Sequence, residues 1–241
     1  MVLADDNFAS IAHAVREGRT VYDNLKKAIV FLLPVNGGES MAIVAAILFG
    51  LTLPITPLQI LWVNMVSSVA LAMALAFEPT EPDAMRRPPR AASEQILSGF
   101  LVWRIGFVSL LFLAGIFAMF VWSRQTGSDV AEARTYAVNT LVAMEVFYLF
   151  SIRYLRTPSL TLRGLRGTRA VMIAVGLVVV LQLMFTYAPF MNTFFDTRPV
   201  DLIHGVQILA IGLAVFMVLE IEKNLRRLID SKRRPRRERP S

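Results

Sequence analysis

Residues 27–77 read KAIVFLLPVNGGESMAIVAAILFGLTLPITPLQILWVNMVSSVALAMALAF. Two apolar runs, each of roughly twenty residues, are long enough to cross the hydrocarbon core of a bilayer. LTLPIT, residues 51–56, joins them and is too short for anything but an antiparallel helical pair. Polar residues interrupt both runs: Asn36 and Glu39 in the first, Asn64, Ser67 and Ser68 in the second. A carboxylate at membrane depth is costly, so it points to an ion or substrate path. Pro34 removes a backbone donor and Gly37-Gly38 loosens the helix, so the first run reads as interrupted, with freed carbonyls able to line a cavity. Asn36 and Glu39 are three apart and share a face, as do Asn64, Ser67 and Ser68. The two polar faces can meet, and several oxygens converging in this way are what a hard cation needs in exchange for its water.

Outward from this pair the pattern repeats. Six apolar stretches fall at roughly 27–50, 57–77, 98–122, 135–152, 170–190 and 202–221. With 241 residues, 55% hydrophobic, and a mean hydropathy of +0.55, the chain is too apolar for an ordinary soluble domain. The predicted fold is an all-α membrane protein, a six-transmembrane-helix bundle preceded by an amphipathic stalk helix. In that stalk Ile11, Val15, Val21 and Leu25 recur at near-helical spacing, broken by Gly18, with Asp5, Asp6 and Asn7 as candidate caps. It reads either as a lever running into the first span or as a helix lying on the membrane surface.

Charge placement sets the expected orientation. Arg16, Arg19, Lys26 and Lys27 precede the first span; Arg86, Arg87, Arg90 and Arg104 surround the second connection. Arg153, Arg156, Arg163, Arg166 and Arg169 mark the fourth connection, and the tail from Lys223 is almost wholly basic. The alternate connections are poor in Lys and Arg, so positive-inside counting places both termini in the cytoplasm. The tail suits anionic lipid better than nucleic acid in a chain of six spans. A polar, charged segment of about 25 residues precedes the first apolar run, so no cleavable leader is expected. Absence of cysteine excludes disulfides and thiolate metal sites.

Glu145, in NTLVAMEVFYLF with Asn139 about two turns earlier, is a further intramembrane carboxylate. It reads as a cation ligand or as a protonated carboxyl bonded to backbone, just as the Asn and Ser residues read as ligands or as interhelical glue. Gln182, His204 and Gln207 lie in or near the last spans, with His204 at a boundary in an interfacial or packing role. Trp62, Trp103 and Trp122 are expected as interfacial anchors. The chain carries neither GxxxxGK[ST], nor GxSxG, nor a metal-spaced His pair.

The stretch MVLADDNFASIAHAVREGRTVYDNLKKAIVFLL, then NGGE, PLQILWVNMV and EPDAMRRPPR, closely resembles the C-terminal part of P-type cation pumps, the sarcoplasmic-reticulum-type calcium pumps and their bacterial relatives. The resemblance covers essentially the whole chain and is most specific over 2–90. It implies that residues 1–26 are the end of the phosphorylation domain and the stalk, that 27–222 form the six-span cation-ATPase domain, and that 223–241 form a basic cytoplasmic tail. It further implies that Asn36, Glu39, Asn64, Ser67 and Glu145 bind the transported cation. Calcium pumps read VNLVTDGLP where this chain reads VNMVSSVAL, so Ser68 stands in place of a shared aspartate. Calcium affinity depends on ligand charge and number, so one calcium or manganese site, or a monovalent site, suits this chain better than two calcium sites. The missing Gly and Pro imply a less unwound second span.

The family's DKTG motif, nucleotide-binding and actuator domains and first four helices have no counterpart here. The resemblance therefore implies a C-terminal transport half, either a fragment, the product of a truncated gene, or the partner of a separately made catalytic half. ATP and magnesium would act only through that half, and the lone polypeptide is expected to be inactive. The expected setting is the lipid bilayer of a bacterial plasma membrane. Two rivals use the same residues: a free-standing cation channel or secondary transporter, and a non-transporting membrane subunit.

Overall fold

A computed structural model describes residues 8–81, 83–89, 98–153 and 168–233. The candidate caps Asp5, Asp6 and Asn7, Arg90, the arginines 156, 163 and 166, and the tail beyond 233 lie outside these. The described residues form eight α-helices: α1 (Phe8–Leu48), α2 (Pro57–Val63), α3 (Val69–Ala76), α4 (Gly99–Gln125), α5 (Val130–Ile152), α6 (Arg169–Tyr187), α7 (Pro189–Phe195) and α8 (Leu202–Arg233). A π-helical turn, Asn64–Ser68, joins α2 to α3, and a short 3₁₀ turn covers Ala84–Arg86. Six helical segments are long and apolar enough to span a membrane, with α2, the π turn and α3 counting as one.

Local chemistry explains the boundaries. Gly50, at a φ of +62°, closes α1, with the Leu51 N–H returning to the Ala46 carbonyl at 2.8 Å. Thr56 and Gln59 make a capping box with Pro57 in the first turn of α2. Asp129 and Glu132 cap α5 in the same way, at 2.7 and 3.0 Å.

The first span differs from its expected form. α1 runs unbroken from Phe8 to Leu48 with Pro34 inside it. The adjoining glycines serve packing rather than loosening. A Cβ on Gly38 would lie 2.6 Å from Cβ of Phe112 on α4, and one on Gly37 would collide with Ser109. Small residues let helix backbones approach closely in membrane bundles. Gly212 of α8 meets Phe147 of α5 by the same device. Helix α5 is the most enclosed span and sits among α4, α8 and the first two spans.

The stalk half of α1 is also continuous with its span. Its apolar residues Val15, Val21 and Leu25 are exposed, whereas Asn24 and Lys27 are buried. The buried side is polar because it grips residues 76–87. Asn24 donates to the carbonyls of Glu78 and Ala76 at 2.6 and 3.2 Å, Arg19 donates to those of Ala84 and Arg87 at 2.6 and 2.8 Å, and Lys27 pairs with Glu81 at 2.7 Å. Arg87 gathers Asp23, Asp83 and Glu81. Its hydrogen bond to Asp83 and the nearby charges of Asp23 and Glu81 raise its pKa further above its usual value.

Other basic residues at this end are likewise used inside the bundle. Arg153 reaches Glu78 at 2.9 Å, Lys223 reaches Glu220 at 2.6 Å, and Arg104, only 1% exposed, lies 3.6 Å from Glu222. Arg104, in the first turns of α4, is therefore a buried partner.

Candidate cation site

The π turn governs the site. Five residues of the second span wind more widely than an α-helix, the Val69 N–H reaching the Asn64 carbonyl five residues back. Such turns occur often at functional sites. The span stays hydrogen-bonded while its register shifts, so Asn64 and Ser68 address different neighbours. Asn64, half-buried, donates from Nδ2 to Oε2 of Glu39 on α1 at 2.9 Å. Ser68, buried, donates to Oε1 of Glu145 on α5 at 2.8 Å. Ser67 donates to the Val63 carbonyl at 2.9 Å.

Glu39 is 3% exposed and Glu145 fully buried. Oε1 of Glu39 and Oε2 of Glu145 each lack a hydrogen-bond partner, and the two acids are held from one π turn, by Asn64 and Ser68. Buried polar oxygens normally find partners. Two half-satisfied carboxylates thus converge from different spans, and a bound cation would satisfy both. No group of three or more His, Cys, Asp and Glu residues suited to a metal occurs among the described residues. A cation here would have to draw on amide, hydroxyl and backbone oxygens beside the two acids, the ligand chemistry of hard cations.

Asn36 departs from expectation. It is exposed while Glu39 is buried, so the pair straddles the edge of the packed face and does not share it. Three residues advance a helix by 300° rather than a full turn. The structure brings together Glu39, Asn64, Ser68 and Glu145, with Ser67 alongside, and leaves Asn36 on the open side.

The comparisons decide the family. The model for "Cation transporting ATPase, C-terminus" matches residues 52–225. The chain belongs to the cation-transporting ATPases. It is the C-terminal membrane part of a P-type ATPase. It is 45% identical to the probable cation-transporting ATPase F of Mycobacterium tuberculosis over 228 residues, covering 95% of this chain and 25% of that protein. It is 47% identical to the cation-transporting ATPase pma1 of Synechocystis over 83% of this chain and 23% of that one. With the calcium-transporting ATPase of Bacillus subtilis it shares 36% identity over 89% of this chain and 24% of that one. The chain thus spans about a quarter of the length of the relatives it matches.

Several residues of this ATPase segment escaped sequence reasoning. Trp62 is not an interfacial anchor. It is buried, stacked on Phe185 at 5.5 Å and edge-on to Phe195 at 5.3 Å, and its indole N–H donates to Gln182 at 3.3 Å. Gln182 in turn donates to Asn139, as does Thr186, at 3.3 and 3.2 Å. A polar chain therefore links the second span to α5 and α6. Indole carries one polar N–H on an apolar body, which suits burial beside an amide as well as an interface. Trp103 and Trp122 are exposed, Trp103 carrying Arg226 over its ring at 4.2 Å. His204 packs, stacked on Tyr136 at 4.3 Å.

Proposed function

We propose that this chain is the cation-translocating part of a pump, in which Glu39, Asn64, Ser67 and Glu145 hold the transported ion and Asn36 joins them from the open side. The observation that carries this reading is the pair of buried carboxylates, each with an unpartnered oxygen, bridged toward one another by Asn64 and Ser68. Glue alone does not require two acids on separate spans. Ser68 supplies a hydroxyl in place of a third carboxylate, which favours a single calcium or manganese ion, or a monovalent ion, over a calcium pair. The Bacillus relatives are named calcium-transporting ATPases, which lends weight to calcium.

The site is incomplete within this chain. Asn36 and Ser40 are exposed on α1 among exposed Leu33, Met41 and Val44. Amide groups facing lipid are costly, so further spans from the N-terminal three quarters of the pump would cover them. The exposed Val15, Val21 and Leu25 likewise suit contact with the catalytic domains. In this reading residues 1–26 couple phosphorylation to the spans, 27–222 carry the ion, and the lone segment neither binds nor hydrolyses ATP. Basic connections favour cytoplasmic termini in a bacterial plasma membrane, and the tail 223–241 favours anionic lipid.

The test joins this chain to its catalytic half and measures ATP hydrolysis in vesicles against calcium, manganese and potassium. Cation-stimulated hydrolysis that disappears with Glu39→Gln and with Glu145→Gln supports the proposal. Hydrolysis unaltered by both substitutions would return the polar residues to the role of glue. Ion flux without ATP would favour a channel.

A further inference from the structure

Pro34 carries no backbone N–H, so the carbonyl of Val30, four residues earlier in α1, has no helical donor. Backbone carbonyls buried without a partner are destabilising. Here the hydroxyl of Tyr148 on α5 donates to that carbonyl at 2.8 Å. Tyr148 is fully buried, its ring stacked on Phe31 at 5.6 Å and edge-on to Phe112 at 5.9 Å. Packing from α1 and α4 thus fixes where the hydroxyl points. On the other side of the same turn Ser109 of α4 donates to the carbonyl of Pro34 itself at 3.1 Å. The proline turn is held from two neighbouring helices.

The position of this contact gives it consequence. Tyr148 follows Glu145 by three residues and lies near it on α5. Asn36 and Glu39 follow Pro34 within about one and a half turns of α1. We infer that Tyr148 is a positioning residue for the cation site: its hydroxyl, bonded to the Val30 carbonyl, sets the register between the proline turn that aims Glu39 and the segment of α5 that carries Glu145. A change in the separation of the two carboxylates would have to strain or break this bond. The inference rests on the proposed function, since positioning matters only if the carboxylates receive an ion.

Two measurements test it. In the complete pump, Tyr148→Phe removes only the hydroxyl. It is expected to raise the half-saturating calcium or manganese concentration for ATP hydrolysis roughly tenfold, the factor for losing one buried hydrogen bond. A role confined to stability would lower the amount of active pump and leave half-saturation in place, and that result would overturn the inference. The second measurement needs no transport. Thermal unfolding of this chain in lipid nanodiscs is compared for Tyr148→Phe, Pro34→Ala and the double variant. The alanine of Pro34→Ala supplies the missing N–H to the Val30 carbonyl, so Tyr148→Phe should lower the midpoint clearly less in that background. Equal losses in both backgrounds would show that the hydroxyl does not serve that carbonyl. If the unsubstituted pump shows no cation-stimulated hydrolysis, the proposed function fails, while the unfolding comparison still judges the contact.

Discussion

The hydroxyl of Ser68 donates to Oε1 of Glu145 at 2.8 Å, joining two spans through residues 77 positions apart in the chain. A serine at this place is therefore not an empty substitute for an acid, since it donates to the acid on the neighbouring helix. Ser68→Ala would leave both oxygens of Glu145 without a partner. The expected loss is about 1–3 kcal/mol, the usual penalty for stranding a buried polar group. Thermal unfolding in lipid nanodiscs reads it, and a midpoint unchanged from the parent would contradict the argument.

Ser68→Asp runs the other way. It places a second carboxylate against Glu145, and like charges this close cannot both ionise comfortably. Without divalent cations the variant should unfold at a lower temperature than the parent. Added calcium should raise its midpoint more than it raises the parent's, because an added carboxylate strengthens a calcium site. Equal calcium shifts in the two proteins would separate Ser68 from the cation site.

The grip of the stalk on residues 76–87 makes a third expectation. Asn24 is buried and holds two backbone carbonyls, so Asn24→Ala strands both. The turn around Ala84–Arg86 should then open more often, and trypsin should cleave after Arg86 faster. Arg87→Ala removes the guanidinium shared by Asp23, Asp83 and Glu81 and should act in the same direction. Raising salt screens exposed pairs, so it should erode the grip in the parent more than in the Arg87→Ala variant. Cleavage rates that match the parent in both variants would refute the clamp.

How far all this could be read in advance follows from the range of each interaction. The six spans depend on runs of apolar residues, which are local, and their bounds lie within a few residues of expectation except at α5, α8 and the extended α1. Glu39, Asn64 and Glu145 were legible because a polar residue inside an apolar run stands out. The π turn was not legible, since NMVSS carries no local signal for a wider winding. The open side of Asn36 was not legible, because i,i+3 spacing puts it near Glu39 without saying where the packed face ends. Trp62 went astray because what covers it, Phe185, Phe195 and Gln182, comes from helices more than 100 residues away. Pro34 announced an unpaired carbonyl, but only the packed structure shows that Tyr148 serves it.

The glycines of α1 yield the last prediction, because their surroundings differ so sharply. Around Gly18 nothing lies within 4 Å of an added Cβ, so Gly18→Ala replaces a poor helix former with the best one at no steric cost. The stalk should gain up to about 1 kcal/mol in stability. At Gly38 the same change drives a methyl to within 2.6 Å of Phe112 Cβ and 3.3 Å of the Ser109 carbonyl, which belongs to the backbone and cannot swing away. The helices must part, costing about 1–3 kcal/mol as overpacked cores do. Glu39 is the next residue, so separating α1 from α4 also displaces the carboxylate that Asn64 holds. Unfolding midpoints for the two alanine variants should therefore move in opposite directions. Only Gly38→Ala should also weaken cation-stimulated hydrolysis in the complete pump, and a parallel response of the two variants would mean that α1 and α4 do not depend on this close approach.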